Sequence, residues 1–260
     1  MDDTFEWEQG PAGPVLRCRA FPAAAAHVFT TRHLSFRDAP ATADLARLGQ
    51  ALGVPGERIA TVAQVHGRRV VTLPPGATPD GSAEADAIVS TDPALAAAIR
   101  VADCVPILIA DRPGRVVAAV HAGWRGTCAG ISTSVVEAMG RTGVRPADLV
   151  VAIGPAIGPC CYQVDDRVRA AFLGVTPDAA AWFDEDGPGH WRLDLWRANA
   201  EQLTAAGVPA DAIHIAGLCT RDHPDVCFSY RRDGPGTGRL VAAVRPAGGA
   251  TAAASRSSSR

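Results

Sequence analysis

The protein has 260 residues, of which 47% are hydrophobic, and a formal net charge of −2. This length and apolar content predict a globular chain with a sizeable core. The small net charge offers no broad attraction for nucleic acid or anionic lipid, so we expect small-molecule partners, no nucleic acid and no membrane. All 25 basic side chains are arginine, which excludes Schiff-base lysines and P-loop lysines, and with them pyridoxal enzymes and ordinary P-loop NTPases.

The sequence also bears on location and redox state. No apolar run approaches the roughly 18 residues of a membrane span, and the acidic start at residues 1–6 is unlike a secretory signal. We therefore expect a cytoplasmic protein. The seven cysteines are an odd number without the spacing of a disulfide scaffold, which predicts mostly reduced thiols and no structural pairing of Cys160 with Cys161.

The first elements are short strands and one helix. Residues 15–18 and 28–31 read as strands, and a helix begins near Thr42 or Asp44 and ends at Gly53. A strand at 59–65 leads to the turn that holds His66, and residues 70–73 are expected to pair back on that strand.

A hairpin follows, preceded by extended runs at 85–89 and 96–101. Two β-branched runs, 105–109 and 116–120, flank a turn at 111–114, which predicts two buried antiparallel strands. Cys104 enters the first strand and His121 leaves the second, so the thiol and the imidazole should lie side by side.

The remaining elements alternate helices and strands up to a low-complexity end. Residues 1–247 are expected to form a single domain, and the Ala/Ser/Arg-rich tail 248–260 is expected to be disordered. Within the domain we predict helices at 127–141, 165–172 and 194–206, a strand at 149–153, and a last strand pair flanking 231–234.

Three candidate metal ligands lie at strand or hairpin ends: His66, Cys104 and His121. Two imidazoles and a thiolate suit Zn²⁺, and three protein ligands leave the fourth tetrahedral position open, as in catalytic sites. The three residues match no compact zinc motif. On spacing alone, a buried cysteine with two hydrogen-bonded histidines remains the simpler interpretation.

Six motifs together resemble the YfiH/YlmD-like family. They are QVHG (64–67), ADCVPIL (102–108), HAGWRGT (121–127), IGPAIGPCCY (153–162), SYRRDG (229–234) and TGR (237–239). The resemblance implies an α+β fold with mixed and antiparallel sheets flanked by helices, similar to the catalytic domain of cytotoxic necrotizing factor. It also implies that His66, Cys104 and His121 bind the metal, usually zinc.

The resemblance implies an activity as well. Members of this family, formerly called multicopper polyphenol oxidase or laccase-like, are described as purine nucleoside phosphorylases that also deaminate adenosine. Adenosine, inosine or 5'-methylthioadenosine would then react with phosphate to give the base and ribose 1-phosphate. The chain departs from the family pattern after Arg32, where His33-Leu34-Ser35-Phe36-Arg37 replaces a glycine-containing loop, and this change bears on substrate preference.

Phosphate binding and ribosyl cleavage need further groups. Arg125 in the turn before the predicted helix is the first candidate for phosphate, followed by Arg32 and Arg232. Asp103 is a candidate catalytic carboxylate that would stabilise oxocarbenium character, although a hydrogen-bonding brace is an equal alternative. Trp124 or Tyr162 can stack on a purine or serve packing alone.

Three other functions compete with this one. A copper oxidase would use copper instead of zinc at the trio, but a blue site usually adds an axial methionine, and the chain has only two methionines. A metal-free hydrolase or amidase would use Cys104 as the nucleophile and His121 as its base. A peptidoglycan-precursor editing factor is the fourth possibility. In each case we expect a monomer or weak dimer.

Overall fold

The computed structural model describes residues 2–37, 42–77 and 81–248. Its strands, numbered along the chain, are β1 Phe5–Gly10, β2 Gly13–Cys18, β3 Ala26–Thr30, β4 Ile59–Ala60, β5 Val70–Leu73, β6 Ala87–Ser90, β7 Ala96–Val101, β8 Val105–Asp111, β9 Val117–Ala122, β10 Leu149–Ile153, β11 Gln163–Asp165, β12 Phe183–Glu185, β13 His190–Leu193, β14 Ile213–Ile215 and β15 Leu240–Arg245.

The helices are α1 Thr42–Leu52, α2 Trp124–Cys128, α3 Ile131–Gly140, α4 Asp166–Leu173, α5 Leu195–Ala205 and α6 Tyr230–Asp233. Short 3₁₀ turns occur at Gly56–Arg58, Pro146–Asp148, Pro177–Trp182, Ala210–Ala212 and Gly234–Gly236. In the described ranges, no helix combines the length and apolar character needed to cross a membrane.

The strands form two six-stranded mixed sheets and a small third sheet. The first sheet has the order β1-β2-β3-β15-β7-β4, and the second has the order β14-β10-β8-β9-β6-β5. The third sheet is β11-β13-β12. The predicted α+β class with mixed sheets and flanking helices is therefore confirmed.

The two large sheets pack face to face. Successive residues of β8 point to opposite sides, as a strand requires: Leu108 packs in the core between the sheets, and Ile107 and Ile109 pack beneath α3 and α5. In β7, Ile99 faces the same inter-sheet core while Ala98 faces the cluster under α1. The result is four layers: a helix, two sheets and a second group of helices. Because β8 is covered on both faces, its sequence is apolar without alternation.

The predicted hairpin is confirmed. β8 and β9 are antiparallel, with Val105 opposite Ala122 and Pro106 opposite His121. The turn is held by Asp111, whose Oδ1 accepts from the backbone N–H groups of Arg115 at 2.6 Å and Val116 at 2.9 Å. The register places Cys104 and His121 at the same end of the hairpin.

Four predictions of local structure are wrong. The strand from Ile59 ends at Ala60, and β5 pairs in parallel with β6 in the other large sheet instead of returning on it. The predicted helix 127–141 is broken into α2 and α3, because Gly130 adopts a left-handed φ of 81°. Instead of a strand, α6 immediately precedes Gly234, so only β15 remains of the predicted last strand pair. Apart from Gly248, the predicted tail lies outside the described residues.

Candidate active site

His66, Cys104 and His121 converge at the open end of the hairpin. Their potential ligand atoms all lie within 4.8 Å of one another. The two imidazole rings meet edge to face, with centroids 4.8 Å apart and an interplanar angle of 80°. His121 is buried and His66 is exposed. The three residues that the sequence suggested as ligands are therefore brought together, with His66 forming the solvent side.

A fourth residue, Asp86, holds the trio in place through hydrogen bonds. Its Oδ1 lies 2.8 Å from Nδ1 of His121 and accepts from the backbone N–H of His66 at 2.9 Å, while Oδ2 accepts from the N–H of Gly67 at 2.6 Å. Asp86 has no exposed surface. Because Nδ1 of His121 is occupied by this carboxylate, Nε2 is left for the trio, which is how carboxylates orient metal-binding histidines.

Charges in the trio stabilise one another. Burial disfavours the Cys104 thiolate, but the positive charge of His121 and hydrogen bonds with both histidines lower the pKa of Cys104 to about 6. Burial likewise disfavours the His121 cation, yet Cys104 and Asp86 raise the pKa of His121 to about 9. The thiol is thus prepared to ionise near neutral pH, which is the state needed for a metal ligand or a nucleophile.

The backbone around the trio is strained, and one turn of it passes close to the trio's side chains. Among the described residues, the non-glycine positions with positive φ are His66 at 60° and Asp103 at 91°, and such strain concentrates at functional sites. Gly123 allows the turn after β9 to pass against the trio, since a Cβ there would lie 3.0 Å from Sγ of Cys104 and 3.1 Å from Cδ2 of His66.

The trio lies in the wall of a cavity of about 680 Å³. This volume is within the range of small-molecule sites. The cavity offers two kinds of recognition group, cationic and aromatic: Arg37, Arg100, Arg125, Arg231 and Arg239, and Trp124, Tyr162 and Tyr230. Guanidinium groups suit phosphate and aromatic rings suit a flat base, so the lining can bind an anion and an aromatic ring together.

The structure separates the three arginines proposed for phosphate. Arg125 lines the cavity, with its guanidinium 4.4 Å from the ring centroid of Trp124. Arg32 instead donates to the carbonyl of Pro224 and packs on Phe228. Arg232 donates to the carbonyls of Thr220, Arg221 and Cys227 and pairs with Asp233. Neither Arg32 nor Arg232 belongs to the described cavity lining.

Asp103 lines the cavity, but both of its carboxylate oxygens have protein partners. Oδ1 accepts from Oγ1 of Thr220 at 2.6 Å, and Oδ2 accepts from the backbone N–H of Arg231 at 2.6 Å. Its own carbonyl accepts from the N–H of Ile157 at 2.9 Å. Asp103 therefore ties three segments together beside Cys104, as expected of the brace that the sequence left open.

Several residues of the site were not singled out from the sequence. Asp86 carried a detectable signal, because an acidic residue inside the apolar run 85–89 must be paired when buried. Two arginines of the lining, Arg231 and Arg239, lie in the SYRRDG and TGR motifs but were given no role, while Arg37 and Arg100 had no such signal in a chain whose every basic side chain is arginine. Their approach depends on contacts between distant segments, such as the hydrogen bond from the N–H of Phe36 to the carbonyl of Arg239.

The fold and the site define a class of protein: an α+β protein with a His₂Cys donor set in the wall of a cationic, aromatic cavity. The sequence matches the family described as "Multi-copper polyphenol oxidoreductase laccase" over residues 29–246. The chain belongs to this family, the YfiH/YlmD-like proteins, and the resemblance found in the sequence is confirmed.

Individual relatives and a solved structure are similar to this chain over most of its length. The chain is 38% identical over 207 residues to "Purine nucleoside phosphorylase YlmD" of Geobacillus stearothermophilus, covering 76% of each chain. It is 40% identical over 205 residues to a purine nucleoside phosphorylase of Streptomyces coelicolor, covering 78% of this chain and 81% of the relative. The crystal structure of YlmD from Geobacillus stearothermophilus matches 95% of this chain and 100% of its own, at 35% identity and a TM-score of 0.84.

Proposed function

We propose that this protein is a purine nucleoside phosphorylase with Zn²⁺ bound by His66, Cys104 and His121. The observation that carries the proposal is the donor set itself, three converging ligands in the wall of a cavity that also presents arginines and aromatic rings. Relatives at 38% and 40% identity are named purine nucleoside phosphorylases, which supports an enzyme of that kind.

The donor set fits zinc. Ligands of one tetrahedral Zn²⁺ lie about 3–4 Å apart, given bonds of about 2.0–2.3 Å, and the three side chains already lie within 4.8 Å of one another. Cys104 supplies a thiol that ionises near neutral pH, and Asp86 fixes the ring orientation of His121. Bound at this site, Zn²⁺ supplies a Lewis acid and an ionisable water.

The residues of the cavity divide the binding of the two substrates. Arg125 and Arg231 carry the charge that phosphate needs, each against an aromatic ring that limits its freedom: Arg125 on Trp124 at 4.4 Å and Arg231 on Tyr162 at 5.2 Å. The exposed ring of Tyr230 offers an aromatic face for the purine. Asp103 accepts a hydrogen bond from the backbone N–H of Arg231. The contribution of Asp103 is therefore to position the anion site.

The same cavity is proposed to deaminate adenosine. Deamination needs a water beside the purine ring instead of phosphate beside the ribose, and both reactions need the ribosyl purine bound near the trio. We therefore expect adenosine to give inosine when phosphate is absent, and adenine with ribose 1-phosphate when phosphate is present. Inosine and 5'-methylthioadenosine are the further proposed phosphorolysis substrates.

The test is product analysis by chromatography. Zinc-loaded protein is incubated with adenosine, with and without phosphate, beside a matched Cys104→Ser variant. We expect phosphate-dependent adenine and ribose 1-phosphate from the wild type and at least about a 100-fold loss in the variant, since one of the three zinc ligands is removed and loss of an outer-shell partner alone costs about 10–100-fold. If neither adenine, inosine nor ribose 1-phosphate forms, the proposal is wrong.

One observation favours a second function, a hydrolase or amidase that uses Cys104 as its nucleophile. Asp86, His121 and Cys104 form a chain in which the carboxylate contacts Nδ1 of the imidazole and the imidazole lowers the thiol pKa, as a cysteine nucleophile requires. In that mechanism His66 is neither the nucleophile nor its base and only adds a hydrogen bond that lowers the thiol pKa. A His66→Ala variant that keeps full activity without metal would favour the nucleophile over the zinc enzyme.

Copper is the alternative metal, as the family description suggests. The site offers the two imidazoles and one thiolate of a blue-copper centre, but the only methionine among the described residues, Met139, is packed in the core under the second sheet. Zinc therefore fits the donor set better. Elemental analysis with stoichiometric copper and a strong thiolate-to-copper absorption band would reverse this choice.

A further inference from the structure

A second group of metal-binding side chains lies outside the proposed active site. It consists of three cysteines and one aspartate from two distant segments: Cys160, Cys161, Cys219 and Asp222. None of them belongs to the trio or to the cavity lining described above. We propose that these four residues bind a structural Zn²⁺ ion that fixes the wall of the cavity.

The geometry is that of a closed, four-ligand site. All four potential ligand atoms lie within 4.8 Å of one another. Asp222 bridges the vicinal thiols, with Oδ1 2.9 Å from Sγ of Cys161 and Oδ2 3.2 Å from Sγ of Cys160. Three thiolates and a carboxylate complete a tetrahedral shell without leaving an open position, which distinguishes a structural zinc site from a catalytic one.

Two donors beside the cluster can offset the negative charge of metal-bound thiolates, although burial and the carboxylate of Asp222 raise the pKa of the Cys160 and Cys161 thiols in the metal-free protein. The backbone N–H of Gly158 points at Sγ of Cys219, 3.3 Å away, and the side chain of Arg221 hydrogen-bonds with Cys161. Binding of Zn²⁺ would release the three thiol protons to solvent and leave the four-ligand complex with a net charge of about −2, which Arg221 partly offsets.

Two of the four side chains are buried, and the other two are accessible to solvent. Cys161 and Cys219 are 6% and 5% exposed, and they pack with Ile157 in a small apolar cluster. Cys160 and Asp222 are exposed, so an ion can enter from solvent between these two side chains. The four residues are thus two buried donors covered by two accessible ones, and all three cysteines are free thiols.

The ion would join two segments that shape the proposed active site. The backbone already links them, since the N–H of Thr220 donates to the carbonyl of Ala156 at 3.0 Å. Ile157 and Tyr162, on the same segment as Cys160 and Cys161, line the cavity, and Thr220 donates to Asp103. A metal bridge between Cys160–Cys161 and Cys219–Asp222 would hold this wall against the brace at Asp103.

Metal content tests the proposal independently of enzyme activity. In a His66→Ala/Cys104→Ser double variant, which lacks two of the three trio ligands, we expect about one zinc per chain to remain, with a thiolate-to-cobalt charge-transfer band when Co²⁺ replaces it. Adding Cys160→Ser should weaken zinc binding about 10-fold or more in competition with a chromophoric chelator, because loss of an outer-shell partner alone costs 10–100-fold. Cys128→Ser, at a partly buried thiol outside both groups, should leave the zinc content and the zinc affinity unchanged.

A second measurement uses the wild-type protein, so the test stands even if a variant fails to fold. Zinc should protect Cys160 and Cys161 from alkylation, read by mass spectrometry of their peptide, while Cys128 reacts equally with and without zinc. Absence of zinc and of the cobalt band in the double variant would overturn the proposal. So would equal alkylation of Cys160 and Cys161 with and without zinc, or an unchanged zinc affinity after Cys160→Ser.

Discussion

Replacing Asp86 by asparagine tests how the trio is held. The aspartate accepts three hydrogen bonds, from Nδ1 of His121 and from the N–H groups of His66 and Gly67, at 2.6 to 2.9 Å. An asparagine of the same size cannot accept at both atoms, because one becomes an NH₂ donor. At least one donor then loses its partner, and the negative charge that stabilises the His121 cation disappears.

The expected cost follows from this role. Loss of an outer-shell carboxylate lowers metal affinity or activity about 10–100-fold, equivalent to about 1.4–2.8 kcal/mol. We expect Asp86→Asn to weaken zinc binding by that factor, measured by competition with a chelator of known affinity. The side chain is fully buried, so a loss of thermal stability should accompany the weaker binding.

A matched control separates the two effects. Asp111 is another buried aspartate of the hairpin, and its carboxylate accepts two backbone N–H groups at the turn opposite the trio. Asp111→Asn keeps the oxygen that accepts both N–H groups and loses only the charge, so it should lower the free energy of unfolding by about 1 kcal/mol and leave zinc affinity unchanged. Wild-type zinc affinity in Asp86→Asn, or an equal loss in Asp111→Asn, would refute the reasoning.

Three other perturbations test separate parts of the account. Gly123→Ala should weaken zinc binding and reduce activity about 10-fold or more, because its Cβ would lie 3.0 Å from Sγ of Cys104. Gly140→Ala, which has open space around it, should change neither. Equal behaviour of the two variants would contradict the close approach of Gly123 to the trio. Arg125→Gln should raise the KM for phosphate about 10-fold, since a charge-assisted bond contributes about 1.5–3 kcal/mol, while Arg32→Gln leaves it unchanged in steady-state assays. His27, whose pKa burial and nearby Arg17 lower to about 4, should bind its proton more readily when unfolded. Stability should therefore fall by up to about 3 kcal/mol as the pH drops from 6.5 toward 4, and urea titrations of His27→Gln should lack that component.

The elements that were predicted correctly are those whose own residues form a clear pattern. The β8–β9 hairpin was predictable because two β-branched runs flank a turn, and α5 because Asp194 can cap it, as its carboxylate does for the N–H of Arg197. These signals also placed Cys104 beside His121. The outcome depended only on antiparallel pairing between neighbouring strands.

Pairing between distant segments was not predictable in this way. β5 carries the same β-branched pattern whether it pairs with β4 or β6, so sequence could not decide that β6 is its partner. The short α6 replaced a predicted strand because Ser229 caps it, with Oγ accepting from the N–H of Arg232 at 3.2 Å. The cavity arginines other than Arg125, including Arg231 at that helix, were not singled out for the same reason, because the contacts that position them are long-range.

The most direct test of the central claim is the fate of labelled phosphate. Zinc-loaded protein is incubated with adenosine and [³²P]phosphate, and the ribose 1-phosphate is separated and counted. Phosphorolysis at the trio predicts label in ribose 1-phosphate in equal amount to the adenine released, with at least about 100-fold less from the Cys104→Ser variant. Adenine without labelled sugar phosphate, or equal labelling by the variant, would contradict a phosphorylase centred on His66, Cys104 and His121.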